Sequence, residues 1–240
     1  MIKDIIVQIC AEDEWQAIRS IFLELNGKLF LYSSPFGEYF SAKINLRNCI
    51  FFNSGASKTL SSSACQYAIS TWNPEIIFVL GTAGAVSENL ELFDVIIANR
   101  TVQYDCISRM GDNSELFYNS FVVNMQNPWL SKQNIPSHFY IGTIATADQD
   151  VDGRVRDILR PHDILAADWE SGAIAPVCKL NKTSCCIIRA VSDIPGNKDS
   201  EEQFKEFQSN TPVIMENLVT VVLPQMIELY LKSPSATLFS

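Results

Sequence analysis

The sequence has only two histidines, His138 and His162, and its seven cysteines, at 10, 49, 65, 106, 178, 185 and 186, contain no Cys-x-x-Cys pair. A zinc site is therefore not expected, and scattered thiols in an odd number point to buried cysteines in a reducing, cytoplasmic compartment, not to a disulfide framework. Lys/Arg clusters are also missing, and the formal net charge is -9. That excludes nucleic acid and anionic membrane as main partners, since both need concentrated positive charge. No apolar stretch approaches the ~20 residues of a membrane span. The opening MIKDIIVQICAEDEW is too short in its apolar part for a signal segment and reads as a first strand closed by acids. Internal repeats, low-complexity blocks and clear linkers are absent as well.

What is present is apolar material: 47% of 240 residues, with 19% charged. A core of one α/β domain is affordable on that composition, and disorder is not expected. Ile5 to Cys10 reads as a buried strand and Glu12 to Leu25 as a helix with Trp15, Ile18, Ile21 and Phe22 on one face. Lys28 to Tyr32, Glu38 to Asn45 and Cys49 to Asn53 read as a meander, and Thr59 to Trp72 as a helix. Glu75 to Leu80 is nearly continuous in apolar residues, as in a sheet covered on both faces. Strands follow at 95–98, 139–145, 164–169 and 184–191. Ser171 to Leu180 is a helix that Pro176 should kink at a cost of ~3 kcal/mol. Ser200 to Lys232 forms one long helix or two short ones, and 233–240 a loose tail. The expected architecture is one α/β domain over 1–232, a mixed, twisted central sheet flanked by helices.

In open α/β sheets ligands bind beyond the carboxyl ends of the strands. Those exits carry Glu12-Asp13-Glu14, Ser54 to Lys58, Gly81-Thr82-Ala83-Gly84, Asp148-Gln149, Trp169-Glu170 and Ser192-Asp193. Each group also has a structural explanation, as helix-start acids, turn glycines or turn residues. Their joint recurrence, against apolar strand interiors, is what marks a site. Two phosphate-loop motifs fail: SGASKT lacks the Gly-Lys-Ser/Thr adjacency of a Walker loop, and GTAGA is not GxGxxG.

Taken in order, ICAEDEW, NSGASKT, VLGTAGAV, FDVIIA, TADQD, ADWESGAIA and RAVSD resemble the nucleoside phosphorylase/nucleosidase superfamily, most closely its 5'-methylthioadenosine/S-adenosylhomocysteine nucleosidases, from residue 5 to about 230. The resemblance implies that Glu170 grips the ribose hydroxyls. Asp193, with Ser192 beside it, is then the general acid for purine nitrogen-7. Glu14, or Glu12 if the loop register differs, orients the attacking water. Ser54 and Gly55, with Gly81, Thr82, Ala83 and Gly84, line the water and ribose side. Trp169 stands where the family usually has a methionine, and Phe204 lies near the aromatic against the 5' substituent. Gln149, Asp150 and Val151 fall on the base side, but Asp150 replaces an aromatic or bulky apolar residue. Asp168 is expected to anchor the turn.

The resemblance also implies a small nucleoside as partner, no cofactor and no metal, and a homodimer in which residues such as Tyr104 to Arg109 close a neighbour's 5' pocket. Relatives that use phosphate carry an arginine where this chain has Val79. Phosphate beside the acidic first loop would be repelled by about 1 to a few kcal/mol per close pair. Water is therefore the expected nucleophile. A futalosine-type nucleosidase, a phosphorylase and a catalytically degenerate nucleoside-binding protein stay open at this point.

Overall fold

The computed structural model describes residues 4–107, 121–136, 138–196 and 199–240. The described residues form eleven strands and six α-helices, with strands following one another directly over β2–β4 and β5–β8. The strands are β1 (Ile5–Ile9), β2 (Tyr32–Ser33), β3 (Glu38–Ile44), β4 (Arg47–Asn53), β5 (Ile76–Ala85), β6 (Val95–Gln103), β7 (Val122–Gln126), β8 (Phe139–Thr146), β9 (Ile164–Asp168), β10 (Cys185–Asp193) and β11 (Leu238–Phe239). The helices are α1 (Glu12–Asn26), α2 (Lys58–Trp72), α3 (Gly153–Leu159), α4 (Ser171–Asn181), α5 (Ser200–Asn217) and α6 (Leu223–Lys232).

The sheet is mixed. β1 runs parallel between β4 and β5, and β3 and β2 extend the β4 edge antiparallel. On the other side the sheet closes on itself. β5 pairs with β10, β10 with β6, β6 with β8, β8 with β9, and β9 returns to the far end of β5 through Gly84 and Ala85. This closure carries the C-terminal ends of β5, β9 and β10 around to one point.

Alternation along β1 shows how both faces are filled. Ile5, Val7 and Ile9 pack into the layer with α1, α5 and α6, whereas Ile6 and Cys10 pack into the layer with α2 and α4. Both faces are thus covered, which is why the strand sequences are continuous in apolar residues.

Proline positions explain two local departures. Pro176 lies inside α4 and has no N–H to donate, so the carbonyl of Gly172, four residues back, loses its helical partner. Gln103 Nε2 donates to that carbonyl at 2.7 Å, and Gly172 N–H in turn donates to Thr146 Oγ1 at 2.7 Å. α5 and α6 form one continuous helical run joined by a π turn, Leu218–Val222. There Leu223 N–H bonds Leu218 C=O, just before Pro224, which cannot donate. By length and composition this run, Ser200–Lys232, would be long and apolar enough to cross a membrane, but half of its most apolar window is buried inside the fold.

Three expectations are corrected. The segment 28–32 contributes only Tyr32 to a strand, because β2 is a two-residue partner of β3. Short elements β7 and α3, not foreseen, flank the closed part of the sheet. The expected loose tail instead pairs with β7 through Leu238 and Phe239. Thr237, buried, donates to Asn127 Oδ1 at 2.7 Å and accepts from Cys185 N–H at 2.9 Å.

Candidate active site

A cavity of about 420 Å³ opens where the ends of β5, β9 and β10 meet the start of α1 and of α5. That is the size of a small-molecule site. Glu14, Glu170 and Asp193 line it, all buried, at 2%, 6% and 7% exposure.

Glu14 sits in the first turn of α1. Its Oε2 reaches back to Ala11 N–H at 3.1 Å, and its Oε1 accepts from Thr82 N–H at 2.6 Å and Thr82 Oγ1 at 2.8 Å. α1 therefore starts by locking a carboxylate against the β5 turn. Glu170 is the N-cap residue of α4. Asp168, two residues earlier at the end of β9, accepts from Thr146 Oγ1 at 2.6 Å, from Glu170 N–H at 3.3 Å, and from the Ser171 hydroxyl. Asp168 is thus a turn anchor.

The group that organises these acids is Arg189, fully buried in the middle of β10. Its Nε lies 2.8 Å from Asp168 Oδ2 and its Nη2 3.1 Å from Glu170 Oε2. Burial opposes its charge, but the Asp168 and Glu170 carboxylates more than offset that and hold its pKa above the usual value. Three buried carboxylates, Glu14, Asp168 and Glu170, share this one cation. Burial first, then repulsion by Asp168 and Glu14, push Glu170 up from the ordinary carboxylate range, although Arg189 pulls it back. The Nη1 of Arg189 has no hydrogen-bond partner among the described residues. It lies against Gly81, together with the Glu14 carboxylate: a Cβ at Gly81 would come within 2.1 Å of Nη1 and 2.7 Å of Glu14 Oε1. Only glycine fits there.

Asp193 ends β10, beyond a register shift. Its Oδ1 accepts from Ser192 Oγ at 2.7 Å and its Oδ2 from Gln203 Nε2 at 2.7 Å. Burial raises its pKa. The Ser192 and Gln203 bonds oppose that, and the nearby Glu206 and Asp150 charges add to it. The loop after β8 reaches Asp193 because two glycines let backbones touch. A Cβ on Gly196 would lie 2.6 Å from the Gly153 Cα.

Of the residues singled out in the sequence, Glu14, Thr82, Ala83, Gly84, Asp150, Val151, Trp169, Glu170, Ser192, Asp193 and Phe204 come together on the cavity wall. Five do not. Glu12 is exposed, accepting from Gln16 and Asn53 on the outer side of α1. Ser54 is buried behind the wall, donating to Ile9 C=O at 3.2 Å. Gly55 is a turn glycine with φ +75° that packs against Leu60. Gly81 serves Arg189 and Glu14 from behind. Gln149 is exposed outside the wall. Tyr104 is buried, and Lys58 Nζ holds Asp105 at 2.6 Å. Ser108 and Arg109 lie outside the described residues.

Sequence reasoning missed Arg189 and Gln203. Arg189 had a readable signal: a single cation inside the apolar run CCIIRAV must meet buried carboxylates. Gln203 had none, since polar residues early in a helix are ordinary.

A closed sheet and a buried, acid-lined cavity at its strand ends define a small-molecule site. The chain belongs to the Phosphorylase superfamily, whose sequence model matches residues 20–224. Among curated relatives, it is 25% identical over 200 residues to a 5'-methylthioadenosine/S-adenosylhomocysteine nucleosidase of Staphylococcus haemolyticus, covering 77% of this chain and 87% of that one. It is 28% identical over 195 residues to an aminodeoxyfutalosine nucleosidase of Campylobacter jejuni, covering 75% and 82%. The Helicobacter pylori 5'-methylthioadenosine/S-adenosylhomocysteine nucleosidase solved with butyl-thio-DADMe-Immucillin-A superimposes with a TM-score of 0.80 at 19% identity, over 95% of this chain and 99% of that one; the fold is shared.

Proposed function

We propose that this protein is a purine nucleosidase that hydrolyses the N-glycosidic bond of a 5'-modified adenine nucleoside, 5'-methylthioadenosine or S-adenosylhomocysteine. The observation that carries this reading is the placement of Asp193, with its raised pKa, in one cavity with Glu170 and Glu14.

Asp193 gives its proton to nitrogen-7 of the base. The bond between nitrogen-9 and the anomeric carbon breaks, and its electron pair leaves with the neutral base. A positioned acid of this kind contributes ~10²–10⁴-fold. Glu170 accepts from the ribose hydroxyls and places negative charge near the developing oxocarbenium ion. Glu14, on the cavity wall, takes the proton of the water that attacks the anomeric carbon. Trp169 and Phe204 offer apolar walls to the sugar and its 5' group.

Water is favoured over phosphate because the described lining of the cavity includes no Lys or Arg, while Asp13, Glu14, Asp150 and Glu170 are all there. Asp150 favours a second reading within the same reaction. An acid where relatives pack an apolar group on the purine suits a differently held base, and one relative is named for aminodeoxyfutalosine. A homodimer belongs to the proposal: Phe204 is 55% exposed at the cavity rim, where a second copy would close the 5' side.

Product analysis on methylthioadenosine, adenosylhomocysteine, adenosine, inosine and a futalosine analogue, with and without phosphate, tests the reading. Free base and free sugar at a phosphate-independent rate are expected. Phosphate-dependent formation of a sugar 1-phosphate would overturn hydrolysis, and no cleavage of any would overturn the enzyme.

A further inference from the structure

Gln203 stands in the first turns of α5, half-buried, with its side chain on the cavity wall. Its Nε2 makes two bonds at once, to Val151 C=O at 3.1 Å and to Asp193 Oδ2 at 2.7 Å. Asp193 Oδ1 is already bonded to Ser192 Oγ at 2.7 Å. Both oxygens of the candidate acid are therefore engaged by the protein's own side chains. An oxygen that accepts the Gln203 N–H cannot hold a proton toward a ring nitrogen at that same position.

The two acceptors tied by Gln203 also have a chemical pattern. A 6-aminopurine that has taken a proton on nitrogen-7 presents two adjacent donors, the ring N–H and the exocyclic amine. The amide NH₂ of Gln203 presents two donors to Asp193 and Val151. It satisfies the same acceptors that such a leaving base would need.

We propose that Gln203 is an internal competitor for the base: its amide occupies the polar contacts of the base subsite and must swing aside when the nucleoside enters. This rests on the purine nucleosidase reading of the site. The swing has room, because Gln203 is only half-buried and its side chain borders the open cavity. While in place, Gln203 favours the ionised form of Asp193; Asp150 from the turn after β8 and Glu206 from α5 favour the protonated form. Displacement removes the ionising contact at the moment the base arrives, so the acid gains its proton where the proton is used.

The test compares the unaltered protein with Gln203→Ala, using adenine alone as the probe in calorimetry. Alanine is a good helix former, so α5 tolerates it. Removing a two-bond competitor should lower the Kd for adenine about tenfold, which is ~1.4 kcal/mol. The alkaline limb of the kcat/KM profile with methylthioadenosine should move to higher pH, because Asp193 loses a bond that stabilises its charge. A structure with adenine bound should show Gln203 Nε2 detached from Asp193. An unchanged or higher Kd in Gln203→Ala, a retained Gln203–Asp193 bond with adenine bound, or no adenine binding to either protein would each overturn the proposal. If no nucleoside is cleaved, the nucleosidase reading falls, and the two adenine affinities still decide the role of Gln203.

Discussion

Replacing Arg189 by methionine removes the cation and keeps an apolar stem of similar reach. Asp168 and Glu170 then lose their buried counter-charge, at 2.8 and 3.1 Å, and Glu14 loses a nearby positive charge. Removing one partner of a buried ion pair costs about 3–5 kcal/mol. In a chain of this size each kcal/mol lowers Tm by about 2–4 °C, so the loss should be about 6–20 °C. The pH dependence is the sharper readout. Without Arg189 the pull that opposes burial at Glu170 is gone, and Glu170 binds its proton still more tightly in the folded than in the unfolded state. Stability must then fall as pH rises above the ordinary carboxylate range, because the folded state holds more protons there. The Tm deficit of Arg189→Met should accordingly grow as pH rises past about 8, the value to which Glu170 is already raised with Arg189 in place, in calorimetric scans. A deficit of about 2 °C or less, or one that does not grow with pH, would show that Arg189 is not the counter-ion of this cluster.

Asp193→Asn should lower kcat by about 10²–10⁴-fold while Tm holds, since the amide keeps the volume but cannot give a proton; steady-state kinetics would reveal retained turnover if the assignment is wrong. Asp150→Asn removes a charge that raises the Asp193 pKa, so the alkaline limb of the activity profile should shift to lower pH. Gln103→Leu leaves the Gly172 carbonyl unpaired above Pro176, and urea denaturation should report a loss of about 1–3 kcal/mol.

Much of this architecture is legible in the sequence, for a physical reason. Strands such as IIVQI and CCIIRAVSD are buried on both faces, so composition alone gives them away, and their exits then fall at the Glu14, Thr82, Glu170 and Asp193 positions. Pro176 was readable as a breaker but not its remedy, because the Gln103 bond to Gly172 joins residues 69 apart. The order of the tail is hidden for the same kind of reason: ATLF has no strand signal of its own and is held by Asn127, Cys185 and β7. Glu12 and Glu14 could not be separated by chemistry. Only helical phase decides that Glu14 turns inward to Thr82 while Glu12 faces Asn53 and Gln16. Gln203 is likewise placed by the packing of α5 against the end of β10, where Asn210 donates to Ser192 C=O at 2.8 Å.

The central claim is that water, not phosphate, takes the sugar. Methylthioadenosine turned over in isotopically labelled water, with phosphate present, and the sugar product weighed by mass spectrometry, tests it most directly. One labelled oxygen on the anomeric carbon, together with free adenine, is the expected result. An unlabelled sugar phosphate would contradict it.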